Sequence, residues 1–181
     1  MVRTLLFSIL TGALALQAAD TPVSIATIYD RDLAGIEREL VPLVEAMPAD
    51  RFQFVPKDGE FGKSRTFAQQ ATHIATVLYE VAAGIRGEKM PVPTGTNENG
   101  DAKLRSKDEI IAYVKAAFTY AHKAMASLTR DNLTDLVPSP FGDGTVARGR
   151  LATIATWHSY DHYGQMAIYM RLNHIIPPAS R

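Results

Sequence analysis

The 181-residue sequence contains no cysteine, and this absence removes several kinds of chemistry. Without thiol groups the chain forms no disulfide, zinc–thiolate site, iron–sulfur cluster or covalently attached c-type haem, and it has no cysteine nucleophile. Any reaction must therefore use histidine, carboxylate or hydroxyl groups, or a bound cofactor.

The sequence also lacks an excess of charge of either sign, since Lys plus Arg and Asp plus Glu both number 19. Proteins that bind nucleic acid usually carry a basic surface, so we expect no nucleic-acid partner. The sequence has no Gly-x-Ser-x-Gly elbow, no phosphate-binding glycine-rich loop and no Glu-x-x-His motif. Serine hydrolases, nucleotide-dependent enzymes and ferritin-like di-iron proteins are therefore disfavoured.

The first twenty residues have the pattern of a secretory leader. Arg3 precedes an apolar stretch from Leu5 to Leu16, and the small residues Ala18 and Ala19 follow it. The stretch is shorter than the roughly 20 residues of a membrane-spanning helix, although an uncleaved anchor is the alternative. We expect a signal peptide at 1–19 and one exported domain at 20–181, periplasmic or secreted, without stable membrane insertion after cleavage.

Four long segments show helical periodicity, and two of them begin with capping boxes, Thr66 with Gln69 and Ser106 with Glu109. Pro42 should bend or interrupt the first helix near its end. The apolar band of that helix is predicted as Ile25, Ile28, Leu33, Ile36, Leu40, Leu43 and Val44. The first helix is predicted from Pro22 or Ser24 to Met47, the second from Thr66 to Gly87 and the third from Ser106 to Leu128. The fourth is predicted to run to about His174, with Thr145 as its capping residue.

The fold class that follows is all-α, a four-helix bundle with long crossover connections. The connections at 48–65, 88–105 and 129–144 are far longer than the roughly 2 to 8 residues of simple bundles, so they must cross over or cover something. The middle connection is rich in turn residues and is either a lid over one end of the bundle or a disordered connector.

The fourth helix carries the most informative motif, His158 and His162, four residues apart. The two imidazoles lie on its core-facing stripe, which is Leu151, Ala155, His158, His162, Gln165, Tyr169 and Leu172. Inward imidazoles need a polar partner, and this spacing allows both rings to reach one metal ion. A metalloprotease is not indicated, because Ser159 stands where the His-Glu-x-x-His motif requires glutamate.

A complete metal site needs a third ligand, to be chosen from His73, His122 and His174. His73 lies in the middle of the second helix among apolar residues, whereas His174 at a helix end has a sufficient role with the helix dipole. We therefore expect His73, His158 and His162 to be the metal ligands. Three neutral imidazoles leave an open coordination position, which is typical of catalytic rather than structural sites.

The surroundings of the pair suggest which residues orient the ligands and which metal is bound. Asp161 and Gln165 are near enough in sequence to orient a ligand imidazole, and their alternative roles are a solvated carboxylate and a packed amide. Imidazole ligands suit zinc, copper, nickel and iron, and a divalent ion, zinc or nickel, is expected.

The chain resembles the DinB family of metalloenzymes over roughly Ile25 to Ser180. The resemblance is strongest in the segments Arg65 to Ala75 and His158 to Pro178. It implies a four-helix bundle with crossover connections, often a homodimer in this family, and a metal held by residues matching His73, His158 and His162. Relatives of the wider fold include thiol-dependent S-transferases and metal-dependent hydrolases.

Two functions therefore stand side by side. The first is a metal-dependent enzyme that activates water or a thiol cosubstrate against a small-molecule substrate, of the hydrolase or S-transferase type. The second is an exported, non-catalytic helical bundle that binds metal or serves as a scaffold.

Overall fold

The computed structural model describes residues 22–57, 59 and 64–181, so the leader predicted at 1–19 lies outside the described residues. Four long helices account for most of this part of the chain. They are α1 (Ile25–Ala46), α2 (Phe67–Arg86), α3 (Lys107–Met125) and α4 (Arg148–Leu172), with a two-stranded antiparallel hairpin of β1 (Leu136–Pro138) and β2 (Thr145–Ala147) before α4. None of the described helices is long and apolar enough to cross a bilayer.

The predicted capping boxes start α2 and α3. The Thr66 hydroxyl accepts from the Gln69 backbone N–H at 3.2 Å, and the Gln69 side chain accepts from the Thr66 N–H at 2.9 Å. Ser106 and Glu109 form the same reciprocal pair. At the other end, α2 stops at Gly87, whose φ of 66° lies in the left-handed region that favours glycine. Local sequence therefore determines both ends of α2.

The helices form a bundle in which α2 and α3 run parallel. Thr76 contacts Tyr113, and Glu88, just beyond the end of α2, contacts Tyr120 farther along α3. The connection from Gly87 to Ser106 must therefore return along the length of the bundle, as the predicted crossover requires. The other two long connections join helices of opposite direction.

Helix α2 is the central helix of the bundle and packs between α3 and α4. Nearly all of its side chains are buried, including the polar Gln70, His73 and Glu80. The largest fully buried side chains come from all four helices: Leu33, Ile36, Leu40, Leu43, Phe67, Ile74, Leu78, Ile85, Phe118, Met125 and Leu151. The bundle thus surrounds α2 with apolar contacts and holds a few of its polar groups out of water.

Three details of α1 and α4 differ from the sequence predictions. Thr145 does not cap α4, because it pairs with Pro138 in the hairpin and the helix begins only at Arg148. Leu172 and Ile28, both predicted to face the core, are 52% and 45% exposed. Leu172 is the last residue of α4, and the adjacent Tyr29 packs against the core in place of Ile28. Pro42 does not interrupt the first helix, one of its two predicted effects, because Leu40, Leu43 and Val44 anchor both sides of the proline in the core.

Candidate metal centre

The structure brings together the three histidines that the sequence singled out. His73 comes from the middle of α2, and His158 and His162 come from successive turns of α4. Potential ligand atoms of the three side chains all lie within 4.8 Å of one another. The antiparallel packing of α4 on α2 produces this contact. His162 lies opposite Gln70 near the start of α2, and the earlier α4 residue Leu151 lies opposite Gly84 near its end.

The geometry fits the first coordination shell of a divalent metal. Nε2 of His73 and Nε2 of His158 are 3.2 Å apart. Two nitrogens bound to one zinc ion at roughly 2.0 to 2.1 Å in tetrahedral geometry are about 3.3 Å apart. His73 and His162 are only 4% and 8% exposed, so the rings converge in a site that is largely shielded from solvent.

The Nδ1 atoms of His73 and His162 are each held by a hydrogen bond. His73 donates from Nδ1 to the backbone carbonyl of Glu98 at 3.1 Å, and His162 donates from Nδ1 to the side-chain carbonyl of Gln70 at 2.7 Å. A protonated Nδ1 in a neutral imidazole leaves Nε2 with a free lone pair. These contacts therefore select the tautomer that a metal site needs and fix the orientation of both rings.

Asp161 and Gln165, predicted to orient a ligand imidazole, contact the candidate ligands only through Gln70. The amide of Gln70 donates to the side-chain carbonyl of Gln165 at 2.9 Å, and Gln165 reaches Asp161 at 3.4 Å. Gln165 thus orients Gln70, which in turn contacts His162. Asp161 is exposed and stands at the outer end of this chain of polar groups.

The crossover connection covers the site from the side of His73. Asn97 and Glu98 have φ values of 53° and 55°, a conformation uncommon for residues other than glycine, and this bend directs the Glu98 carbonyl to the imidazole. Arg65 holds the bend by donating to the Asn97 carbonyl and to the Asn99 side chain, both at 2.9 Å. The middle connection thus contacts His73 within α2, whereas the predicted lid was placed over one end of the bundle.

All three imidazoles are neutral at physiological pH. Burial lowers the pKa of His158 to about 3 and that of His162 to about 4, with the neighbouring histidines acting in the same direction. Burial also lowers the pKa of His73, helped by the positive charge of Arg65 and opposed by Glu98. Neutral imidazole is the form that coordinates metal, so the site does not have to expel protons first.

The other two histidines lie away from this cluster. His122 on α3 is held between two carboxylates of α1, with Nδ1 2.6 Å from Asp30 and Nε2 3.0 Å from Glu37. His174 is exposed just beyond the end of α4. His122 has a structural ion-pair role that its sequence neighbours did not reveal.

Comparisons with known proteins agree with this architecture. A model of the DinB superfamily matches residues 33–166. The chain belongs to the DinB superfamily. No curated protein matches the sequence significantly. Among solved structures, a DinB-like protein from Bacillus cereus ATCC 10987 superposes with a TM-score of 0.65 at 16% identity, covering 83% of this chain and 93% of that one. A DinB-like protein from Bacillus subtilis has a TM-score of 0.63 at 17% identity, covering 83% and 96%. At these identities the two structures show the fold alone.

Three residues of this DinB-superfamily site escaped the sequence analysis. Gln70 is a polar residue three positions before His73 on the same helix, a signal that the sequence does contain. Glu98 contributes its backbone carbonyl, and Arg65 acts on the backbone around it, so neither role has a local sequence signature. The site therefore includes one residue that could have been found and two that depend on the path of the crossover.

Proposed function

We propose that the protein is a metal-dependent enzyme whose divalent ion is held by His73, His158 and His162. The observation that carries this proposal is the convergence of three neutral imidazoles from two helices, with the rings of His73 and His162 fixed through Nδ1. A shell made only of histidine suits zinc or nickel among the common divalent ions. Three protein ligands are also the number found in catalytic rather than closed structural zinc sites.

The chemistry that follows is activation of a nucleophile. A divalent ion supplies Lewis acidity, which favours ionisation of a water molecule or of a thiol cosubstrate. The chain fixes two ligand rings through Gln70 and the Glu98 carbonyl, and it buries His73 and His162 away from bulk water. We infer a hydrolase or thiol-transferase reaction on a small molecule, because two of the three ligand imidazoles are buried.

A non-catalytic metal-binding bundle is the second candidate. The low exposure of His73 and His162 favours it, because a ligand shell shielded from solvent also suits storage or structural binding of an ion. The two functions differ in whether an external ligand can reach the ion.

Cobalt substitution distinguishes them. The untagged protein is loaded with cobalt(II), and its visible spectrum is recorded while azide or 2-mercaptoethanol is added. Saturable spectral changes are expected for the enzyme, and the same samples should turn over some members of a panel of esters, amides and thiol-reactive electrophiles. A visible spectrum that stays unchanged with every added ligand would establish the closed, non-catalytic bundle instead.

We also propose export, on the basis of Arg3, the apolar stretch Leu5 to Leu16 and the small residues Ala18 and Ala19. Mass spectrometry of the protein expressed with its own N-terminus should find a periplasmic or secreted product that starts near Ala19 or Asp20. An intact chain that begins at Met1 in the cytoplasm would contradict this localisation.

A further inference from the structure

A buried carboxyl group on α2, that of Glu80, is not part of the candidate metal site. Glu80 is only 8% exposed, and its Oε2 atom is buried without a hydrogen-bond partner among the described residues. Burial, together with repulsion from Glu98, raises the pKa of Glu80 to about 7. A buried carboxylate without a partner is costly, so a cation that pairs with Glu80 would stabilise its charged form.

Glu80 opens onto a cavity of about 460 Å³ at the C-terminal end of α2. The volume lies within the usual range for small-molecule sites. Three elements line it: the last two turns of α2, the first part of the crossover with Met90 and Thr94, and the hairpin residues Pro138 to Pro140. The walls are thus largely apolar, with one deeply placed acidic group.

The charges around this cavity favour a cation. The titratable residues among the described lining are Glu80 and Glu88, and both are acidic. Arg86, the neighbouring cation, is already engaged by Glu88 at 2.5 Å. The dipole of α2 also favours a cation here, because its negative end is at Arg86, beside the cavity.

We propose that this cavity binds a primary ammonium group carried on a short aliphatic body, with the Glu80 carboxylate as its counter-ion. The ammonium group donates hydrogen bonds to the carboxylate of Glu80, which is part of the cavity lining. The aliphatic body packs against Ala83, Met90 and Pro140. No covalent step is involved.

The position of Glu80 relates this cavity to the metal site. Glu80 and His73 are seven residues apart, so they face nearly the same direction on α2, roughly 10 Å apart along the helix axis. The crossover passes over both, through Thr94 at the cavity and Glu98 at His73. If the proposed metalloenzyme function holds, the cavity receives an amine-bearing end of the substrate; this role alone rests on that function.

Binding of n-butylammonium to the full chain tests the assignment, with neutral 1-butanol of equal length as the control ligand. Backbone NMR shifts should identify Ala83, Gly84 and Met90, and butylammonium should bind at least tenfold more tightly than butanol, about 1.4 kcal/mol. Glu80→Gln should lose at least tenfold in affinity. Glu45→Gln, which removes the same charge at an exposed residue paired with Lys115, should bind like the parent.

Equal binding of the two probes by the parent would overturn the proposal, and this comparison does not depend on the folding of any variant. Shifts outside the cavity, or unchanged affinity in Glu80→Gln, would overturn it as well. Metal content measured in the same samples separates the two proposals. Glu80→Gln should keep its metal while losing ammonium binding, whereas His158→Ala should lose metal and still bind butylammonium.

Discussion

The imidazole of His162 on α4 donates from Nδ1 to the side-chain carbonyl of Gln70 on α2 at a distance of 2.7 Å. This hydrogen bond joins the two helices that carry the candidate metal ligands and leaves Nε2 of His162 with a lone pair. Residues that hold a ligand in this way typically change metal affinity by roughly 10- to 100-fold when they are replaced.

Gln70→Ala should therefore weaken zinc binding by about 10- to 100-fold, because the His162 ring loses both its orientation and its selected tautomer. Competition with a chromophoric chelator measures the affinity. Gln53→Ala, at an exposed residue outside α2, is the control and should have no effect. Equal affinities for Gln70→Ala and the parent would exclude the orienting role.

Alanine in place of any one of His73, His158 and His162 should lower the bound zinc or nickel to below about a tenth of the parent value. Mass spectrometry of the untagged proteins measures the metal content. His122→Ala and His174→Ala should retain metal, since neither side chain reaches the cluster. All five variants and the metal-free parent should keep their helical circular dichroism, because the apolar core forms without the ion. Metal loss from all five would show unfolding rather than loss of a ligand.

Arg65→Ala should loosen the cover over His73, because the two hydrogen bonds to Asn97 and Asn99 are lost. Hydrogen bonds from charged donors contribute about 1.5 to 3 kcal/mol, so amide exchange at 97–100 should accelerate on the order of tenfold or more. Arg105→Ala, an exposed arginine in the same connection, is the control and should leave that exchange unchanged. Unaltered exchange in Arg65→Ala would mean that other contacts hold the bend.

The His122 ion pairs should make stability depend on pH. Burial disfavours the His122 cation, but hydrogen bonds and charge from Asp30 and Glu37 outweigh it and raise the pKa of His122. A raised pKa means that the stabilisation is complete below the unfolded-state value of about 6.5 and is lost as pH rises through the higher folded-state value.

His122→Gln should accordingly cost more at pH 6 than at pH 9, by on the order of 1 kcal/mol, the upper range for partly exposed ion pairs. Urea unfolding at the two pH values measures this difference. Asp30→Asn in place of His122→Gln should reduce the pH dependence in part, since Glu37 remains. The same free-energy loss at both pH values would contradict an ionic role for His122.

The sequence predicted the helices well where their ends depend on neighbouring residues. The capping boxes at Thr66 and Ser106 and the stop at Gly87 are all confirmed, because each involves groups within a few residues of one another. The start of α4 was wrong because the hairpin partner of Thr145 is Pro138, which no helical pattern could reveal. Leu172 is exposed because it ends α4, and Ile28 is exposed because the adjacent Tyr29 packs against the core instead.

Helical periodicity by itself determined that this chain is an all-α protein and that His158 and His162 share one face of a helix, since both properties arise within a few turns of one segment. Tertiary structure alone decided that His73 meets that pair while His122 joins α1 and α3 through carboxylates. It also decided that the Glu98 carbonyl contacts His73 and that Glu80 lines a cavity, with its Oε2 atom unpaired among the described residues. The physical reason is that these contacts depend on the direction and register of helices and connections far apart in sequence, which local patterns do not encode.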